Sequence, residues 1–338
     1  MEKIVYKKIK TYIVTLIKII LAIIFVWYLF ESGRITRESF VSLVKIANFP
    51  FLLLSAVFFI FSQVLSSLRL VFLLRVSEIS LTLREAFKLT MIGNFFNIVI
   101  PGMVGGDIVK GYILTKNESN GRGKSSGTII MDRLLGLFAL LFIGIISVIY
   151  FLQASVFTSI PYEKELRTIL LFSIVSACFF LLLLLFGKNN RIRKKLKKIA
   201  FTVFRGGFFY NMFEGFGAVT KKRRYLVYTI SLSIVVQLTC LTGLLVLVNL
   251  TGDSTSKIIP LLAVSSIVML AGVVPITPGN IGWTELIATF GWSMMGSSNG
   301  AVIFFYWRLV TLFCSLPWGF IYLYPLRHNK EGAFQGDF

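Results

Sequence analysis

Residues 129–152 read IIMDRLLGLFALLFIGIISVIYFL, and from Leu134 to Leu152 the stretch carries no charge. A helix needs about 20 apolar residues to cross the hydrocarbon core of a bilayer. Ile129–Leu152 meets that length, so the solvent for this segment is lipid. Working outward, the same reading applies to Ile13–Phe30, Phe51–Leu74, Thr168–Gly187, Leu226–Leu250 and Ala301–Tyr324. Two further apolar stretches differ. Phe87–Ile100 is too short to span and stops at Pro101-Gly102, and Ile258–Val274 is of borderline length and stops at Pro275 and Pro278-Gly279. Each is followed by a glycine-rich turn and another short apolar piece, the marks of discontinuous helices. The sequence therefore predicts an all-α polytopic membrane protein with about six spanning helices plus two re-entrant or broken ones.

The rest of the composition agrees. The chain has 338 residues, 56% of them hydrophobic and 15% charged, against about a quarter charged in a soluble domain. A net charge of +20 would suggest nucleic acid in a soluble protein. In a membrane chain Lys and Arg collect in cytoplasmic loops and set orientation, so the expected partners are membrane lipids with anionic headgroups and no nucleic acid. Cys178, Cys240 and Cys314 all lie in apolar segments, and His328 is the single histidine. That inventory implies no disulfide framework, no metal site, no cofactor and no Ser-His-Asp or Cys-His nucleophile. Met1–Phe30 is basic and then apolar. Its apolar part is long and no small-residue cleavage site follows, so a retained first helix is expected.

Charge also predicts topology. The loop 188–225 carries a dense basic series with Glu214 as its only acid, which places it in the cytoplasm. Gln153–Arg167 balances Glu163 and Glu165 against Lys164 and Arg167 and suits the outside, while the tail 326–338, with Arg327, His328 and Lys330, suits the inside. These assignments agree with a cytoplasmic N-terminus only if both broken segments leave on the side they entered. The two breaks also echo each other, as Pro101-Gly102-Met103-Val104-Gly105-Gly106-Asp107 and Pro278-Gly279-Asn280-Ile281-Gly282-Trp283-Thr284-Glu285. One membrane domain of two halves, about 1–153 and about 168–325, follows. Three crossings per half would make them an inverted repeat.

Irregular backbone at membrane depth survives only inside protein or along a wet cavity, so a polar cavity is expected between the breaks. Free N–H groups at the start of a half-helix favour phosphate. Gly102, Gly105 and Gly106 on one side, and Pro278, Gly279 and Gly282 on the other, would let a headgroup approach the backbone; the alternative is that the glycines merely permit tight turns or close packing. Asp107 and Glu285 read equally as helix caps, ion-pair partners or proton carriers, with Lys110 one turn after Asp107 as its expected partner. Charges within apolar segments are costly and so functional candidates: Arg69, Asp132, Arg133 and Arg308. Arg308 is too deep to do without a partner, and Glu285 is the first choice. Asn94 and Asn97, one turn apart, either bond across helices or line the cavity.

The stretch from Arg69 to Arg133, through Asn94-Phe95-Phe96-Asn97, the first break and Asp132-Arg133, together with the second break, resembles the membrane region of lysylphosphatidylglycerol synthases, a flippase-like family. The resemblance covers nearly the whole chain; Asn280 and Trp283 depart from the usual pattern, which has a Gly near the first and an aliphatic residue near the second. It implies a helical membrane domain with re-entrant helices in two halves that moves lipids between leaflets. In that family a separate soluble domain attaches the amino acid. About a dozen residues follow the last helix here, so no transferase activity is expected. The resulting expectation is a plasma-membrane translocase for a phosphate-bearing lipid, of aminoacyl-phospholipid or polyprenyl-phosphate type, with both termini cytoplasmic. The alternatives are a non-transporting, lipid-binding partner of a separate synthase or glycosyltransferase and, behind it, a lipid-modifying transferase with Asp107 or Glu285 as base. A homodimer is compatible with the lipid-facing surface. On this reading Arg308→Ala should abolish transport without unfolding the protein.

Overall fold

The computed structural model describes residues 20–36, 48–77, 79–99, 105–116, 122–154, 173–178, 223–251, 258–274, 276–294 and 297–328, with isolated positions at 16, 38, 41, 45, 167–168 and 171. Every regular element among them is helical: α1 (Ile20–Glu31), α2 (Phe49–Val76), α3 (Leu83–Val99), α4 (Gly105–Lys116), α5 (Arg122–Ala154), α6 (Arg223–Val246), α7 (Ile258–Ala271), α8 (Trp283–Ser293) and α9 (Gly300–His328). Four stretches are long and apolar enough to cross a membrane: Phe49–Val76, Gly127–Tyr150, Arg224–Leu250 and Gly300–Tyr322. They match four of the six expected spans. Most of Thr168–Gly187, the first part of Ile13–Phe30, most of the basic loop and the end of the tail lie outside the described residues.

The boundaries have local causes. Pro50 sits in the first turn of α2, where its missing N–H costs nothing. At the start of α3 the Thr82 N–H donates to Glu85 Oε2 at 2.7 Å and the Glu85 N–H to Thr82 Oγ1 at 3.3 Å. This reciprocal capping box begins the helix four residues ahead of the apolar stretch that announced it. α3 then stops just before the Pro101-Gly102 pair, as the steric demands of proline require. At 17 and 14 residues, α3 and α7 reach about 25 and 21 Å at 1.5 Å per residue. Both fall short of a hydrocarbon core of about 30 Å.

Element order repeats: long helix, short helix, break, short helix, long helix, first as α2–α5 and again as α6–α9. The packing repeats too. The two leading helices, α2 and α6, form the most extensive interface. The closing helix of each half covers the first short helix of the other, α5 on α7 and α9 on α3. Such an exchange is what a two-fold relation between halves produces. In the α9–α3 contact, Phe87 meets Trp318 and Phe96 meets Tyr322 edge-on, with centroids 5.3 and 5.5 Å apart. Phe95 lies where a side chain on Gly319 would be. The largest core cluster, around Trp292, Tyr306, Leu244 and Met91, ties α3 to the second half.

Candidate functional site

Between the halves lies a cavity of about 390 Å³, lined from α2, α3, α4, α5, α6 and α9 and from the second break. Three buried or half-buried ion pairs surround it. In the wall between α2, α5 and α6, Arg69 Nε donates to Asp132 Oδ1 at 2.7 Å and its Nη1 to Ser233 Oγ at 2.9 Å. Ser233 Oγ in turn donates to the Thr229 carbonyl at 2.7 Å. Arg69 is therefore a buried structural cation, and not a side chain reaching for the interface.

At the first break, Asp107 does not take Lys110. Its Oδ2 lies 2.5 Å from Arg133 Nε on α5. The local reading along one helix failed because α5 packs across α4 and brings a guanidinium to the carboxylate. Asn97 Oδ1 accepts the Gly106 N–H at 2.9 Å, so an asparagine from α3 satisfies one free donor at the start of α4. A Cβ on Gly106 would overlap the Gly93 carbonyl. That glycine serves close packing of α3 on α4, the alternative reading of the motif. Gly105 is buried at the first position of α4, and Gly102 lies outside the described residues. Asn94 Nδ2 donates to Gln63 Oε1 at 2.8 Å, bonding across helices while still lining the cavity.

At the second break Arg308 is bound on all sides. Its Nε donates to Glu285 Oε1 at 2.6 Å; Nη1 donates to the Gly279 carbonyl at 2.5 Å; Nη2 donates to the Asn280 carbonyl, Thr284 Oγ1 and Glu285 Oε2 at 2.9, 2.6 and 3.1 Å. Glu285 is at once ion-pair partner and cap, since its Oε2 also accepts the Gly282 N–H at 2.9 Å. Pro278 opens the 3-10 turn Pro278–Asn280. Gly279 has φ +57° and Gly282 φ +80°, conformations that a Cβ disfavours. A side chain on Gly279 would come 2.8 Å from the Ile98 carbonyl, and one on Gly282 2.6 Å from Phe25 Cβ of α1. Both glycines are turned toward neighbouring chain. Arg308 thus finds Glu285, as its depth in the helix required, and caught in five hydrogen bonds it holds the break together while still lining the cavity.

Of the sequence-selected residues, Arg69, Asn94, Asn97, Lys110, Asp132, Arg133, Gly279 and Arg308 line the cavity, while Gly105, Gly106, Asp107, Pro278, Gly282 and Glu285 stand behind it. The sequence reading missed Gln63 and Gln237. Both line the cavity, one on the leading helix of each half. Ser315, fully buried on α9, also lines it, and among the described residues its Oγ has no hydrogen-bond partner.

Charge within the site does not cancel. Arg69, Arg133 and Arg308 take Asp132, Asp107 and Glu285. Lys110, 7% exposed, has Asp107, Asp132, Arg133 and Arg69 as electrostatic neighbours but forms no hydrogen bond or ion pair among the described residues. An ammonium in such a place costs free energy until an anion joins it.

The class of protein is thus defined: a polytopic helical membrane protein with two repeated halves and a polar, net-cationic cavity between them. The chain belongs to the lysylphosphatidylglycerol synthase TM region family, whose model matches residues 15–319. It is also similar to a UPF0104 membrane protein of Methanocaldococcus jannaschii, 26% identical over an alignment of 331 positions that covers 93% of this chain and 96% of the relative. No solved structure matches.

Proposed function

We propose that this protein moves a phosphate-bearing lipid between the leaflets of the plasma membrane, with both termini cytoplasmic and both broken segments re-entrant. The observation that carries this reading is the cavity between the halves, where three ion pairs leave Lys110 as the surplus cation. The phosphate would enter beside Lys110 while the acyl or prenyl tails stay in lipid. Arg133 is the second contact. It pairs with Asp107 while 34% of its side chain stays exposed, and a guanidinium suits phosphate bidentately. Rocking of one half against the other would alternate access, as repeat-built transporters do.

The test is headgroup translocation in proteoliposomes, comparing wild type, Lys110→Gln and empty vesicles over several phospholipids and a polyprenyl phosphate. The expected result is selective movement that falls at least about tenfold in Lys110→Gln, the loss of one charge-assisted contact. Unchanged movement in the variant would sink the role of Lys110.

One observation favours a second reading, a lipid-holding partner of a separate synthase or glycosyltransferase. The five hydrogen bonds of Arg308 fix the second break in a single arrangement, which suits a holder better than a rocker. Folded protein that binds lipid and moves none would decide for it. A transferase step is not proposed: Asp107 and Glu285, the two candidate bases, are both held by arginines.

A further inference from the structure

The cavity has a chemistry more specific than "phosphate". Its charged groups are arranged as closed pairs plus one lysine, so its formal charge is one positive unit among the described residues. Its remaining polar wall is neutral. Gln63 and Asn94 bond to each other and Gln63 Nε2 donates to Ser62 Oγ at 3.1 Å. Gln237 gives one amide N–H to the Gly136 carbonyl at 3.3 Å, and the Ser315 hydroxyl is buried without a partner among the described residues. An amide presents two donors and two acceptor lone pairs, so each of these side chains keeps capacity that only a polar guest can use at this depth. Groups that both give and accept match hydroxyls, which do the same.

Resting on the translocase reading, we infer that the headgroup this site accepts is a phosphodiester with a net charge of minus one and an uncharged, hydroxylated remainder: glycerol, inositol or a sugar. One phosphate charge neutralises Lys110. A headgroup that also carries an ammonium has no place for it, because each carboxylate at the site already has a guanidinium and a second cation would face Lys110, Arg69 and Arg133. Zwitterionic and aminoacylated headgroups are thereby selected against by unpaired like charge, the usual way a buried site rejects a near-isostere. The cavity volume of about 390 Å³ lies toward the small end of ligand sites, enough for a phosphate with one polyol.

The inference is tested by equilibrium binding, which does not depend on transport. The purified full-length protein in detergent would be titrated with dihexanoyl lipids while its tryptophan fluorescence is followed, the change being assigned to Trp307, one of five tryptophans and a residue lining the cavity, by its loss in Trp307→Phe. Phosphatidylglycerol and phosphatidylinositol should bind at least about tenfold tighter than phosphatidylethanolamine or lysyl-phosphatidylglycerol, since one misplaced charge in such a site is worth that much. Phosphatidylmethanol, anionic but without hydroxyls, should fall between. Lys110→Gln should erase the preference and Lys110→Arg restore it; Ser315→Ala should weaken the polyol lipids and leave phosphatidylmethanol unchanged. Glycerophosphoglycerol, the same phosphodiester without tails, binding as tightly as phosphatidylglycerol would support the headgroup chemistry and assign the affinity to the headgroup alone. Binding by the lipid only would support it with a tail contribution. Equal or tighter binding of the zwitterionic or aminoacylated lipid overturns the inference, even if that lipid is transported. Selective binding without any transport upholds it and sinks the translocase reading instead.

Discussion

The two breaks use the same parts to opposite ends. In each, an acid near the start of the short helix meets an arginine from the helix that follows: Asp107 with Arg133, and Glu285 with Arg308. In the second half that arginine also holds two backbone carbonyls and a threonine, and its carboxylate partner is 3% exposed. In the first half the arginine is a third exposed, and the free helix donor is met by Asn97 instead of the acid. The comparison teaches that a repeated motif need not repeat a role. One copy is tightly bound scaffold; the other leaves its arginine a third exposed and has a buried lysine one turn from its acid.

The largest effect that would test this contrast is Arg308→Ala. It strands Glu285 at 3% exposure and releases the carbonyls of Gly279 and Asn280, so a stability loss of about 3–5 kcal/mol is expected. A collapse of folded yield and melting temperature in detergent would show it; a normally folded variant that only loses transport would break the comparison. Gly106→Ala comes next. Its methyl would overlap the Gly93 carbonyl, an overpacking penalty of about 1–3 kcal/mol, read as a lower melting temperature. Gly279→Ala should cost about 1–2 kcal/mol for a left-handed residue gaining a Cβ, and a neutral result would mean that the turn relaxes. Smallest in stability is Arg133→Ala, about 1 kcal/mol or less for a partly exposed pair. Its transport should nevertheless fall at least about tenfold, and equal losses of fold and transport in Arg133→Ala and Arg308→Ala would erase the distinction between halves.

Much of this architecture was legible because lipid imposes blunt constraints. Leu134–Leu152 could be nothing but a buried or lipid-facing helix, and Arg308 had to find an acid, with Glu285 the nearest candidate. The reading failed where the answer depended on how helices meet. Asp107 was given Lys110 because sequence shows neighbours one turn apart, whereas Arg133 arrives through tertiary packing. The glycines of the breaks were read two ways, as openings for a headgroup or as room for tight turns and close packing, and the sequence alone could not choose. A missing side chain admits whatever is nearest, and here that is the backbone of α3 and the side of α1. Gln63 and Gln237 escaped because one amide inside an apolar helix disturbs no pattern that composition can register.

The covering of α3 by α9 has a consequence for biosynthesis. Some two hundred residues separate the end of α3 from the start of α9, and at about 5–20 residues per second a ribosome takes about 10–40 s to make them. For that interval the face of α3 that α9 covers waits without Tyr322 and Gly319, the partners of Phe96 and Phe95. The nascent protein therefore needs something to stand in for its own last helix, and an insertase or membrane chaperone that shields polar helix faces would be expected to crosslink to residues 83–99 early in synthesis and to release them once Trp318 and Tyr322 have entered the membrane.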